Sequence, residues 1–290
     1  MTKIIVENLF DEQTNTFTYL VKDLLTKEAI VIDPVLNYQA ETGQISFESY
    51  KQLLRMIEGF TPTYFIETHA HADHLTSLAY LKQKYPNAKT AIHENIIKVQ
   101  NTFKDIFKLA ALSTDGSQFD LLLNEKSQLK LGNALIEIIS TPGHTPACAC
   151  LKIEEHLFSG DALFMPDFGT GRCDFPQGSA TNLYHSIYHK LYKLPQKTKV
   201  YVGHDYAPNG RKIQNITSIA ESKKNNIHLN GNTTMNEFVD FRTKRDTQLS
   251  PPKLLIPSIQ FNINGGHFLT DKQELAYIKI PITVKRDEDV

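Results

Sequence analysis

Three imidazoles and one carboxylate fall within six residues, His69-Ala70-His71-Ala72-Asp73-His74, directly after the apolar run Tyr64-Phe65-Ile66-Glu67. Imidazole nitrogen suits Zn, Fe, Ni and Cu, and a carboxylate extends the choice toward harder ions. A loop leaving a strand end can aim alternate side chains at one point, because successive residues of extended chain face opposite ways. A solvated His-rich turn is the bland alternative. Three further motifs weigh against it: Thr141-Pro142-Gly143-His144-Thr145, Ser159-Gly160-Asp161-Ala162 and Gly203-His204-Asp205. Each places a small residue that lets the backbone turn beside a potential ligand, and each follows a strand-like run. One such His would be an ordinary turn or core residue. Three, added to the first cluster, have no common bland cause.

The elements that must position these groups are mostly strands. Ile4-Ile5-Val6, Phe17 to Val21 and Ala29 to Ile32 read as strands, the last closed by Asp33-Pro34. Ser46 reads as the N-cap of a helix running to about Gly59, and a second helix is expected from His74 to Lys84. Thr90 to Ile92 is a short strand, followed by a helix to about Ala111. Ala134 to Ile139 forms another strand. Ala147 to Ile153 and His156 to Phe158 make a hairpin around Glu154-Glu155. Ser179 to Leu194 reads as one amphipathic helix and Val200-Tyr201-Val202 as a buried strand. Tyr184, Tyr188 and Tyr192, at helical spacing, are expected in the core. The pattern favours sheets packed face to face with helices outside, an α/β arrangement. Beyond about Asn209 the texture is more polar, with helices expected over Lys212 to Asn226 and Met235 to Leu249. The expected organisation is a catalytic core over 1–208 and an extension over 209–290 packed on the same domain.

Lys and Arg number 31 against 32 Asp and Glu, a net charge of −1, which offers no electrostatic case for nucleic acid or an anionic membrane surface. The sequence has no run long and apolar enough for a spanning helix. The N-terminal segment turns acidic at Glu7 and Asp11 without an apolar stretch, so a secretory signal is not expected and a cytoplasmic location is. Cys148, Cys150 and Cys173 are too few for a disulfide framework.

The set His69-x-His71-x-Asp73-His74, then His144, Asp161 and His204, resembles the metallo-β-lactamase superfamily in ligand order over at least residues 1–208. The resemblance implies an αββα sandwich with a metal site at one edge of the sheets. In two-metal members His69, His71 and His144 would hold one ion, Asp73, His74 and His204 the other, and Asp161 would bridge them, activating water for hydrolysis.

Further runs, Phe17 to Val21, Glu28 to Val35, Gly171-Arg172-Cys173-Asp174-Phe175-Pro176-Gln177-Gly178 and Gly203-His204-Asp205-Tyr206, resemble the glutathione persulfide dioxygenase branch. That resemblance implies one Fe(II) per chain, held by His69, His144 and Asp161 with three positions open. His71, Asp73, His74 and His204 then become groups that orient the ligands or could hold a second metal. The branch commonly has Thr where Cys173 stands, a change that a bacterial subgroup resembling this chain shares. Cys173 reads first as a small buried residue and second as a thiol meeting the persulfide sulfur. Arg172 would pair with a glutathione carboxylate, and Tyr206 would donate to the substrate.

The expected activity is oxidation of a small-molecule thiol persulfide, glutathione persulfide first, with O₂ and water to sulfite and the thiol. Spacing does not separate this from a dinuclear Zn(II) hydrolase of the hydroxyacylglutathione (glyoxalase II-like) or β-lactamase-like kind. A non-catalytic sensor using the three cysteines is a further alternative. Similar proteins often form homodimers.

Overall fold

The run Glu28–Ile32 is almost wholly apolar because the strand it forms is covered on both faces. In the computed structural model, which describes residues 2–270 and 276–282, this strand lies between antiparallel Thr16–Asp23 and parallel Thr61–Ile66. The sheet has six strands, in the order Ile4–Asp11, Thr16–Asp23, Glu28–Ile32, Thr61–Ile66, Lys89–His93 and Leu121–Leu123. A second six-stranded sheet runs Leu129–Leu131, Ala134–Ser140, Ala149–Ile153, His156–Phe158, Lys199–Tyr201 and Ile216–Ser218.

Alternation along the strands decides what each face touches. Tyr19, Val21, Ile30, Ile32 and Ile66 enter a core shared with Ile136, Ile138, Leu151, Leu157 and Val200 of the second sheet. Their neighbours Leu20, Val31, Phe65 and Ile92 meet Leu53, Ile57, Leu78, Leu81 and Phe103 of the helices Glu48–Ile57, Leu78–Lys84 and Ile96–Phe107. The result is the expected α/β sandwich of two packed mixed sheets with outer helices.

Four local expectations need correction. Ser46 is not an N-cap: it ends the strand Gln44–Ser46, and the helix starts at Glu48 behind Phe47 without a side-chain cap. The second helix starts at Leu78 rather than His74, because Leu75–Thr76 pairs with Val35 and Leu36 and holds that stretch extended. The single helix expected from Ser179 is an α-turn segment, Ala180–His185, followed by a π-turn over Ser186–Lys190 and a 3₁₀ turn over Leu191–Lys193. Within Lys212 to Asn226, Ile216–Ser218 adds an edge strand, and the helix Ile219–Asn225 begins behind the Ser218 cap.

The Met235–Asp246 helix opens with a reciprocal cap between Thr234 and Glu237. Ile219, Leu229 and Phe238 reach the intersheet core, while Ile259 and Ile263 reach the outer cluster. Tyr184, Tyr188 and Tyr192 turn inward, their hydroxyls donating to the carbonyls of Thr233, Gly231 and Leu229. Among the described residues no helix is long and apolar enough to cross a membrane.

Candidate metal centre

Strand ends from both sheets meet at one edge of the sandwich. Asp33 follows Glu28–Ile32, the His cluster follows Thr61–Ile66, His144 follows Ala134–Ser140, Asp161 follows His156–Phe158, and His204 follows Lys199–Tyr201. The seam is closed by Phe17 N–H donating to Gly203 O at 2.9 Å. Two glycines permit the approach. Gly160 has φ +48°, and a Cβ there would lie 2.6 Å from Thr68 Oγ1. Gly143 would drive its Cβ to 2.4 Å from the Leu183 side chain.

One ligand atom each from His69, His144 and Asp161 lies within 4.8 Å of the others. Asp161 Oδ2 is 3.9 Å from His69 Nε2 and 3.6 Å from His144 Nε2. His204 Nε2 stands 3.2 Å from Asp161 Oδ1 and 3.6 Å from Asp73 Oδ2. His71, Asp73 and His74 form a second converging set, and His71 belongs also to a third with Asp33 and Glu67. The structure therefore brings all seven sequence-identified ligand candidates to one region while dividing them into distinct groups.

The hydrogen bonds behind these rings fix which nitrogen faces the centre. Thr68 donates its one hydroxyl proton to Asp33 Oδ2 at 2.8 Å, so it accepts from His69 Nδ1 at 3.0 Å and leaves Nε2 bare. His144 Nδ1 donates to the Arg172 carbonyl at 2.7 Å. His204 Nδ1 faces the Asn15 carbonyl at 3.2 Å. His71 Nε2 sits 3.0 Å from Asp33 Oδ1 and 3.3 Å from Glu67 Oε2, so its inward nitrogen is Nδ1. His69 Nε2 and His74 Nε2 are buried without a hydrogen-bond partner, and Asp161 Oδ1 has only His204 Nε2 beside it. Bare imidazole nitrogens gathered around buried carboxylates suit a bound cation.

The electrostatics agree. Burial depresses His69 well below the ordinary imidazole value, keeping it neutral. Burial opposes charge on Asp161, but the His204, His69 and His144 rings outweigh it and hold the carboxyl well below its usual range. Burial also opposes a proton on His204, yet Asp161 and Asp73 raise it to about 9. The field that draws a proton to this point draws a divalent metal equally. Two imidazoles and a carboxylate, each with a fixed tautomer or ionised oxygen, fit such an ion.

Arg172, Tyr206 and Cys173 fall out differently. Arg172 borders the centre, but its Nε and Nη2 each donate to Asp174 at 2.5 Å, and Nη1 reaches Ser250 O at 2.8 Å. These partners brace the guanidinium at the border of both cavities, and the Arg172 carbonyl serves the site directly by accepting from His144. Tyr206 is not a core residue. It is 43 % exposed and stacks on Phe168 at 4.6 Å. Cys173 is buried in the intersheet core, its N–H bound to Asp246 Oδ2 at 2.7 Å, and it borders neither cavity at the metal centre. Those cavities, of about 580 and 450 Å³, both touch Asp161, Arg172 and Tyr206.

The motif reading did not single out Asp33, Glu67, Thr68 or Asn262. For Asp33 and Glu67 a signal existed: each is a carboxylate ending an apolar strand run beside the other. Asn262 gave none, because its partners lie nearly two hundred residues away.

Residues 12–204 match the family model described as the metallo-beta-lactamase superfamily. "Glyoxylase B2" of Dictyostelium discoideum is 44 % identical over 97 % of this chain and 97 % of its own. The human mitochondrial persulfide dioxygenase ETHE1 is 33 % identical over 70 % of this chain and 69 % of its own. The crystal structure of ETHE1 from Myxococcus xanthus superposes with a TM-score of 0.72 at 31 % identity, covering 91 % of this chain and all of that one. With the αββα sandwich and the converging donors at its edge, these likenesses establish that the chain belongs to the metallo-β-lactamase superfamily, its resemblance running to the persulfide dioxygenase branch.

Proposed function

We propose that the chain is a persulfide dioxygenase, converting glutathione persulfide, O₂ and water to glutathione, sulfite and two protons at one Fe(II) per chain. The observation that carries this reading is the separation of His69, His144 and Asp161 from the other donors. Those three converge on one point, whereas His71 is engaged by Asp33 and Glu67. The likeness to the two ETHE1 proteins supports it further.

Iron bound there would supply the redox chemistry and bring the persulfide sulfur and O₂ together. The chain's own residues do the rest. Thr68 and the Arg172 carbonyl fix the His69 and His144 tautomers, so that both present a lone pair without rearrangement. The burial of His69, His144 and His204 keeps bulk water from the back of the centre. The larger cavity runs from Asp161 between Phe168, Tyr206 and Phe241 to Arg245, and takes the organic carrier of the sulfur. Among the described residues the Tyr206 hydroxyl and the Arg245 guanidinium have no hydrogen-bond partner in the chain, which leaves both free for the carrier's polar groups. Arg172 borders the same cavity, its guanidinium braced by Asp174.

The second converging set, His71, Asp73 and His74, favours a specific rival: a dinuclear zinc hydrolase acting on an acylglutathione thioester. The name of the Dictyostelium relative points the same way. Metal analysis of anaerobically purified protein, with an oxygen electrode, decides between them. One iron per chain and uptake of one O₂ per persulfide, with sulfite formed, is expected. Two zinc ions per chain, thioester hydrolysis and no O₂ uptake would replace the dioxygenase by the hydrolase.

A further inference from the structure

A single side-chain amide beyond the family-matched region ties down the second half of the His cluster, from His71 to His74. Asn262 is the last residue of the helix Leu255–Asn262 and is 4 % exposed. Its Nδ2 donates to the carbonyls of His71 and His74, each at 2.8 Å, and its Oδ1 accepts from Thr76 N–H at 2.9 Å. Two carbonyls of the loop and the N–H of Thr76 in the strand that follows are thus held by one amide, which uses both donor protons and an acceptor lone pair. The loop makes no regular structure between Glu67 and His74, so these carbonyls would otherwise be buried without partners.

The surroundings keep Asn262 in place. Ile259 and Ile263 pack into the outer helical cluster, and Phe261 packs with Leu36 and Leu75. Just after the helix, Gly266 adopts φ +82° and approaches so closely that a Cβ there would lie 3.1 Å from Ala79 N. The segment is therefore seated against both ends of the Leu75–Leu78 stretch.

We propose that Asn262 is a positioning residue for the metal centre: by fixing the carbonyls of His71 and His74 it sets the directions of the His71, Asp73 and His74 side chains, so the C-terminal extension controls the geometry and affinity of the bound metal. The family model stops at residue 204, so this control lies outside the part of the chain that defines the superfamily. The inference concerns the loop and not the reaction: Asn262 acts on the stretch carrying His71, Asp73 and His74 directly, and on His69 only through the two-residue link between His69 and His71.

The full chain loaded with Co(II) alone provides the test, read by its visible absorption spectrum and by competition with a chromophoric chelator. Asn262→Asp preserves size but points an acceptor at two carbonyls, and Asn262→Ser keeps a small polar group where Asp prevents folding. Either variant should weaken Co(II) at least tenfold and alter the spectrum. Phe261→Leu loosens the same helix while keeping all three amide bonds, and should leave both readings unchanged at equal loss of thermal stability. An unaltered spectrum and affinity in a folded Asn262 variant overturns the proposal. Equal changes in Phe261→Leu overturn it too, since the effect would then follow from general loosening.

Discussion

His69 and His71 are two residues apart on one loop, are equally buried and have rings only 4.0 Å apart, yet they have different work. His69 has a hydroxyl behind it and a bare Nε2 before Asp161. His71 has two carboxylates behind it, Asp33 and Glu67, and they raise it well above the ordinary imidazole value against the opposing effect of burial. A neutral hydrogen-bond partner leaves a ring ready to ligate. A pair of carboxylates makes a ring the cation in its own ion-pair cluster, and a metal at His71 Nδ1 must displace a proton held there. The motif His-x-His is symmetrical in sequence, but the strand ends beneath it are not.

The largest effect that tests this contrast is at Asp161. Asp161→Asn keeps the shape and removes the charge that gathers His69, His144 and His204. Loss of a group behind a ligand costs about 10–100-fold in metal affinity, so loss of the ligand itself should exceed about 100-fold and abolish O₂ uptake with persulfide. Chelator competition and an oxygen electrode measure the two. Full activity in Asp161→Asn would show that the gathering carboxylate has been misassigned.

Asp33→Ala comes next. It strips His71 of one carboxylate and Thr68 of its acceptor, leaving a buried ring and hydroxyl without partners. Breaking one side of a buried ionic pair costs about 3–5 kcal/mol, and urea unfolding of the metal-free protein should show a loss of that size. Thr68→Val removes the hydroxyl alone and should weaken metal by about 10–100-fold with a smaller stability change. A Thr68→Val protein with unchanged metal affinity would mean that the His69 tautomer needs no partner.

How legible this was depends on the range of each interaction. The convergence of the donors could be read because their chemistry is carried by residue type and local turns: His144, Asp161 and His204 each sit beside a glycine at a strand end. The sandwich could be read because the alternation at Tyr19-Leu20-Val21 and the unbroken run at Ala29 to Ile32 are properties of single strands. The helix starts were misread where a partner strand overrode local propensity, as Leu75–Thr76 did on pairing with Val35 and Leu36. Nothing local announces that Asp174, two residues on, braces the Arg172 guanidinium. Asn262 lay beyond any pattern because only the folded chain brings it to the loop.

The His69 and His71 contrast has a counterpart at the cavity wall, where His228 is kept neutral rather than charged. Burial, then the neighbouring Arg242 and Arg245 guanidiniums, push it down to about 4, and its Nδ1 accepts from Thr170 N–H at 3.0 Å. The unfolded chain takes up this proton near pH 6.5 and the folded chain does not, so stability from this site is present above about pH 6.5 and is lost as pH falls toward 4. The ring stays partly in reach of solvent, so the loss should be on the order of 1 kcal/mol. Urea midpoints between pH 7 and 4.5 should show less acid sensitivity in His228→Gln than in the parent. Identical pH profiles would mean that His228 is charged in the fold.

Cys173 gives the smallest expected effect and the sharpest comparison with the bare donors of the centre. Burial, reinforced by Asp246, pushes its thiol far above the ordinary range, so it stays protonated and a poor nucleophile. Its backbone rather than its sulfur makes the bond that matters, to Asp246. Cys173→Ala should therefore cost only about 1 kcal/mol of stability, the scale for deleting one small buried group, with kcat/KM for persulfide within about twofold of the parent. A thiol that exchanged with the persulfide sulfur would show itself as a loss of about 100-fold or more, well beyond what a small cavity produces. Steady-state O₂ uptake separates the two outcomes, and a large loss would move Cys173 from the packed core to the chemistry.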